Sequence, residues 1–281
     1  MSMQVWTEKY RPEKLSEIVG QKHVVDRLKA WVKEGSIPNM LFAGPAGIGK
    51  TTAALCLARE LFGEHWHENF QETNASDQRW IDVVRGRIKN FAMVKPIGSD
   101  FKIIFLDESD SLTPEAQQAL RRTMEKFSDV CRFVLSCNYS SRIIEPIQSR
   151  CSVFCFRRLG KEDVKKYAQR IAQNENLNIR EDAYDAIYEA SEGDLRKATN
   201  ILQACSTLGS IDREGVYRIV SQVKPEDMKD LMETALAGNF SEARKKLYDL
   251  MIVKALSGED IIKAIHSHVF HMDLDEKKKL A

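Results

Sequence analysis

Residues 41–52 read LFAGPAGIGKTT, and this stretch decides how the rest of the chain is read. A short apolar run, Met40 to Ala43, enters a glycine-rich turn, and Gly49-Lys50-Thr51 then leads into an apolar helical pattern. The spacing is G-x-x-x-x-G-K-T, with Gly44, Gly49, Lys50 and Thr51 in the required places. Glycines open backbone angles that let successive amide N–H groups point inward at an anion. The following helix turns its unpaired N–H groups and positive dipole end to the same anion. Lys50 supplies a mobile point charge for terminal phosphates, and the Thr51 hydroxyl is suited to ligating Mg²⁺. The spacing predicts a strand, a phosphate-cradling loop and a helix, in that order.

The whole chain sets the bounds. Its 281 residues suffice for two domains and the start of a third. With 43% hydrophobic and 30% charged residues, a globular core is expected and disorder is not. Lys plus Arg total 42 against 41 Asp plus Glu, a net charge of +1, so any contact with nucleic acid has to be local. The six cysteines form no C-x-x-C pair and no paired metal spacing, which predicts inert thiols in a reducing compartment. The start is polar, with no apolar signal core, and no run approaches the length of a membrane span. A soluble intracellular protein with no membrane partner is expected.

Along the chain, Gln21 to Lys33 carries apolar residues at helical spacing. Short apolar strands are expected at Met40 to Ala43, Phe70 to Asn74, Lys102 to Leu106, Arg132 to Ser136 and Val153 to Phe156. Helices fall between them, one over Ile81 to Phe91 and another opened by Thr113-Pro114. Strands alternating with helices predict an α/β fold, a parallel sheet covered on both faces. From Leu159 onward strand signals vanish. Helices are predicted over 162–175, 180–191, 195–206 and 213–220, then 228–254 and 258–270.

Asp107 and Glu108 close the strand FLDE. Phosphoryl transfer needs one carboxylate near Mg²⁺ and another to activate water, and these two fit those roles. Asn138 follows the strand RFVLSC and could touch the γ-phosphate or the attacking water, although its chemistry alone suits a turn equally. Arg150 has a guanidinium suited to developing phosphate charge, yet a surface ion pair would use it as well. It has no evident partner site within its own chain.

Several motifs together resolve these alternatives: WTEKYRP at 6–12, LFAGPAGIGKTT, TNASD at 73–77, FLDESD at 105–110, QQALRRTME at 117–125, FVLSCNYSSRIIEPIQSRC at 133–151 and GDLRKATNILQ at 193–203. With this set the chain resembles AAA+ ATPases and, among them, the small subunits of replication factor C, over essentially its whole length. The resemblance implies a RecA-like AAA+ domain over 1–158, an all-α lid over 159–223 and the start of an α-helical collar over 224–281. It implies ATP and Mg²⁺ as cofactors, with Gly44, Pro45, Ala46, Gly47, Ile48, Gly49, Lys50, Thr51 and Thr52 around the phosphates and Thr51 and Asp107 at the metal. Tyr10, Arg11, Pro12, Val19 and Gly20 match segments that line the adenine. Glu108, Asp107, Asn138, Arg150 and Arg196 match the catalytic set, Arg196 from the lid and Arg150 as a finger into a neighbouring subunit. Asn74, otherwise only a helix cap, matches a residue that restrains the catalytic glutamate. Ser76, Arg79, Arg85, Thr113, Gln117 and Arg121 match positions that track DNA phosphates. Ile88 and Phe91 match a clamp-docking segment, although periodicity alone turns them toward the core. The implied partners are a clamp-loader large subunit, further small-subunit copies, the sliding clamp and primer-template DNA. The implied place is the nucleoid of an archaeal cytoplasm or a eukaryotic nucleus. Ala46 stands where the family commonly has proline, Ser109 where it has alanine, and Trp80 where it has glycine, so DNA contact beside Arg79 is expected to differ. Two other readings stay open: another AAA+ DNA motor, such as a branch-migration helicase, or a scaffold that binds ATP without hydrolysing it.

Overall fold

The computed structural model describes residues 5–75, 86, 88–220, 225–253 and 256–269. Five strands form one parallel sheet: β1 (Met40–Ala43), β2 (Phe70–Asn74), β3 (Lys102–Asp107), β4 (Cys131–Cys137) and β5 (Ser152–Cys155). Their order across the sheet is β2-β3-β4-β1-β5. β1, β3 and β4 read as near-continuous apolar runs because both of their faces are covered. Leu41, Ala43, Ile104, Leu106, Phe133 and Leu135 face a core shared with Ala116, Leu120 and Met124. The alternating residues turn the other way, where Phe42 meets Phe154 at 5.5 Å and Phe156 at 5.2 Å between ring centroids.

Helices of eight residues or more are numbered in chain order: α1 (Lys22–Glu34), α2 (Lys50–Phe62), α3 (Pro114–Lys126), α4 (Lys161–Asn174), α5 (Glu181–Ser191), α6 (Leu195–Cys205), α7 (Arg213–Val220), α8 (Pro225–Leu236), α9 (Phe240–Tyr248) and α10 (Gly258–Val269). α3 starts where predicted. Thr113 Oγ1 accepts the Ala116 N–H at 3.3 Å, and Pro114 occupies the first turn, where its missing N–H costs nothing.

Two expected contact residues prove to be interior, which corrects their assignment to outer surfaces. Gln117 shares the inward face of α3 with Leu120 and Met124 and is 2% exposed. Its carboxamide donates to Leu112 O (3.2 Å) and Arg142 O (2.9 Å) and accepts from Ile144 N (2.8 Å), so it has nothing left for a DNA phosphate. Ile88 is fully buried in the core that α3 covers, and Phe91 packs against that core half-buried. Ser76, Arg79, Trp80 and Arg85, with most of the helix expected over 81–91, lie outside the described residues.

The chain divides into two compact units, residues 1–171 with 191–200, and residues 172–190 with 201–281. In the second, Arg213 bonds to Glu226 at 2.8 Å and Glu189 at 3.3 Å, and Tyr217 donates to Glu189. A separate core gathers Met228, Leu231, Ala243, Leu250, Leu256 and Ile261. The helix expected over 228–254 is instead two helices, because the chain turns at Gly238, with φ of 82°, and Asn239 N–H closes onto Thr234 O at 3.2 Å.

Candidate active site

β4 lies between β1 and β3, and this insertion builds the site. Ala43 pairs with Cys137 and Leu106 with Leu135, so the phosphate loop after β1, Asn138 after β4 and the acidic pair ending β3 emerge side by side. The cleft there is lined by Ala46, Gly47, Ile48, Gly49, Lys50, Thr51, Thr52, Asp107, Glu108 and Asn138, by Arg11, Pro12 and Val19 from the N-terminal segment, and by Arg196.

Lys50 opens α2 and is 8% exposed. Its Nζ donates to Gly44 O and Pro45 O, both at 2.6 Å, and lies 3.3 Å from Asn138 Oδ1. Burial holds its pKa below the ordinary 10.5, opposed by Asp107, Cys137 and Asp110. Gly49 has φ of 98°, and a Cβ there would meet nothing within 4 Å among the described residues, so the loop opens onto space where an anion fits against the start of α2. Thr51 Oγ1 donates to Asp107 Oδ2 at 2.8 Å, and Asp107 Oδ1 accepts the Glu108 N–H at 3.0 Å. Glu108 takes φ of 53°, which non-glycine residues rarely adopt. Its carbonyl is held by Ser111 N and Oγ, and its side chain is exposed at the cleft. Ser109 is buried and its hydroxyl is satisfied by Leu106 O at 2.9 Å.

Among the described residues no three His, Cys, Asp or Glu gather as a metal cluster. Mg²⁺ takes one or two protein oxygens and completes its shell with phosphate and water, so the oxygen pair of Thr51 and Asp107 fits it.

Some residues in and beside the cleft had no role assigned from the sequence. Asp110 Oδ2 accepts the N–H groups of Asn138 (3.1 Å) and Tyr139 (3.3 Å), which fixes the chain as it leaves β4. Ser136 lines the cleft fully buried, and its Oγ has no hydrogen-bond partner among the described residues. Tyr167 and Thr199 also line it, joined at 3.1 Å between their hydroxyl oxygens. Thr7, Ile18, Cys137 and Leu195 complete the wall.

Other expected residues fall elsewhere. Gly44 and Pro45 turn their carbonyls to Lys50 and do not line the cleft, and neither do Tyr10 and Gly20. The Tyr10 ring meets Trp6 edge-on at 6.2 Å, and a Cβ on Gly20 would meet Leu159 at 2.1 Å. Asn74 pairs with Asp107 across β2 and β3, one residue from Glu108. Arg150 does not line the cleft and bonds to Glu125 Oε1 and Pro146 O, both at 2.7 Å. Thr113 is exposed and caps α3, and Arg121 is half-buried, 3.6 Å from Glu125.

A five-stranded parallel sheet with this loop, acidic pair and strand-end asparagine defines an ATP-hydrolysing AAA+ enzyme. Family comparison agrees: residues 40–159 match the model of the ATPase family associated with various cellular activities, 169–207 an RCF1/5-like AAA+ ATPase lid domain, and 223–281 the replication factor C C-terminal domain. The replication factor C small subunit of Methanococcus vannielii is 52% identical over 277 residues, covering 98% of this chain and 88% of that protein. The one from Methanosarcina barkeri is 54% identical over 275 residues, covering 96% and 82%. The chain belongs to the replication factor C small subunit family. Among solved structures, the Thermotoga maritima RuvB Holliday junction branch migration motor has the same fold, with a TM-score of 0.63, 20% identity and 90% of each chain covered. Among the described residues no helix is long and apolar enough to cross a membrane.

Proposed function

We propose that this chain is the ATPase small subunit of a clamp loader, using ATP binding and hydrolysis to open a sliding clamp and place it on primer-template DNA. The observation that carries this reading is the convergence of Lys50, Thr51, Asp107, Glu108 and Asn138 at three adjacent strand ends, in a chain of this family. Lys50 exchanges the Gly44 and Pro45 carbonyls for the terminal phosphates. Thr51 and Asp107 would hold Mg²⁺, which would offset phosphate charge when bound. Glu108 orients or deprotonates the attacking water, and Asn138 and Arg196 contact the γ-phosphate side. Arg11, Pro12 and Val19, with Ile18, form the wall for the base.

Asn74 restrains Glu108 until DNA arrives. Arg150 leaves Glu125 to complete a neighbouring subunit's site. Thr113 and Arg121, with Ser76, Arg79 and Arg85, supply sequence-independent phosphate contact, and Phe91 contributes to clamp docking. The three parts are the AAA+ domain over 1–158, the lid over 159–223 and the collar portion over 224–281. The complex holds a large subunit and further small subunits and acts where the chromosome is.

The deciding experiment is clamp loading onto primed DNA by this chain with the matching large subunit. ATP-dependent loading that stops with Lys50→Ala is expected. Turnover without any loading would favour another AAA+ DNA motor, and ATP binding without turnover would favour a scaffold.

A further inference from the structure

α6 is fastened to the phosphate loop at two points. The amide of Leu195, at the first position of the helix, donates to Gly47 O at 3.0 Å. Asp194, one residue earlier, caps the helix by accepting the Lys197 N–H on Oδ1 at 3.0 Å. The same carboxylate lies over Gly47: a Cβ on Gly47 would fall 1.9 Å from Asp194 Oδ1 and 2.1 Å from its Cγ. Gly47 thus leaves room for a neighbour's side chain, where Gly49 leaves room for an anion. Two residues after Asp194, Arg196 reaches the cleft that holds Lys50 and Asn138. Leu195 and Thr199, on the same helix, line that cleft as well.

We propose that Asp194 is a positioning residue for ATP hydrolysis, which through its seat on Gly47 sets where Arg196 stands relative to Lys50. This rests on reading the cleft as the ATP site and Arg196 as a cation on its γ-phosphate side. The path is short: Gly47 is three residues from Lys50, and one hydrogen bond joins it to the residue before Arg196. A loop that rearranges around phosphates carries the start of α6 with it. Asp194 itself does not line the cleft, so its effect belongs to the chemical step and not to binding.

The test uses Asp194→Ser, Arg196→Ala and the double variant, in the full chain assembled with its large subunit. Serine keeps an oxygen to cap Lys197 but is too short to lie over Gly47, so helix start and folding are preserved, and thermal melting verifies this. Asp194→Ser is expected to lower kcat about 10- to 100-fold, the range for a catalytic group displaced by about 1 Å, with KM for ATP nearly unchanged. Adding it to Arg196→Ala is expected to change kcat by less than about twofold, because residues acting as one unit are not additive. Asp194→Asn, which retains both cap and length, is expected to restore most of the rate. Wild-type kcat in Asp194→Ser, or a full further loss on top of Arg196→Ala, overturns the proposal. Unchanged turnover in Arg196→Ala alone overturns the reading of Arg196 beneath it, so the two failures are told apart.

Discussion

Thr51 Oγ1 and Asp107 Oδ2 are joined by a 2.8 Å hydrogen bond between the first turn of α2 and the end of β3. Two oxygens at hydrogen-bond distance are near enough to face one hard cation, so the bond prefigures a metal site held by hydroxyl and carboxylate. Thr51→Val keeps the shape and removes the hydroxyl. ATP turnover is expected to fall by at least about tenfold and to need more Mg²⁺, as loss of a metal contact does, while Thr51→Ser retains most activity. Turnover against Mg²⁺ concentration checks this, and an unchanged Mg²⁺ requirement in the valine variant would count against it.

Lys50 predicts a pH dependence of ATP binding. Its folded pKa lies below 10.5 because of burial. The unfolded chain therefore holds more protons than the folded one between the lowered value and 10.5. The charged, buried ammonium costs stability below the lowered pKa, and stability is recovered as pH rises through that window. Phosphates favour the ammonium, so ATP binding takes up protons in the same window and weakens as pH climbs through it. Calorimetry in buffers of different ionisation enthalpy measures this uptake. No uptake anywhere up to 10.5 would refute it.

The interior place of Gln117 predicts a stability effect. Gln117→Ala leaves Leu112 O, Arg142 O and Ile144 N without their partner. Buried groups left unsatisfied cost about 1–3 kcal/mol each before relaxation or water entry. Denaturant unfolding is expected to lose at least about 2 kcal/mol by the same principle, and a loss under about 0.5 kcal/mol would contradict this account of α3.

Arg150 separates stability from turnover. Its bond to Glu125 joins two side chains about 40% exposed (39% and 43%), and exposed pairs are worth about 0–1 kcal/mol. Arg150→Ala should hardly move the melting temperature. In the assembled complex it should remove turnover by about 10³- to 10⁵-fold, the measured weight of arginine fingers, with ATP still bound. Unchanged turnover refutes the trans role.

The cysteines give a chemical check. Burial pushes Cys56, Cys137 and Cys151 up to about 12 and Cys131 and Cys205 up to about 11, while Cys155 is exposed. Because thiolate is the reacting form, alkylation of the folded protein at about pH 8 should add one group, at Cys155, by intact mass. Several rapid adducts would contradict this packing.

The strands were legible nearly to the residue because β1, β3 and β4 are short runs buried on both faces, and the Thr113-Pro114 cap marked its helix locally. The interior place of Gln117 was legible too, since it recurs with Leu120 and Met124 at helical spacing; motif resemblance overrode that signal. Ile88 repeats the lesson. The break at Gly238 was hidden because Leu236 and Phe240 continue the apolar pattern across it. Ser136, Tyr167 and Thr199 carried no signal, because they meet the phosphate loop only once distant segments are folded together. Asp110 stood in view in DESD, but its hold on the chain after β4 needed the pairing of β3 with β4.

One consequence of the strand order concerns synthesis. Met40 in β1 is bonded to no strand that precedes it; its partners are Val134 in β4 and Ser152 in β5. A nascent chain therefore exposes the apolar strand MLFA with both edges open until β4 leaves the ribosome, and with one edge open until β5 follows. Open edges recruit other chains, and pairings this distant in sequence form slowly. The phosphate loop is translated early and assembled late, so a chain stalled before Cys131 is a client for chaperones and not yet a nucleotide binder.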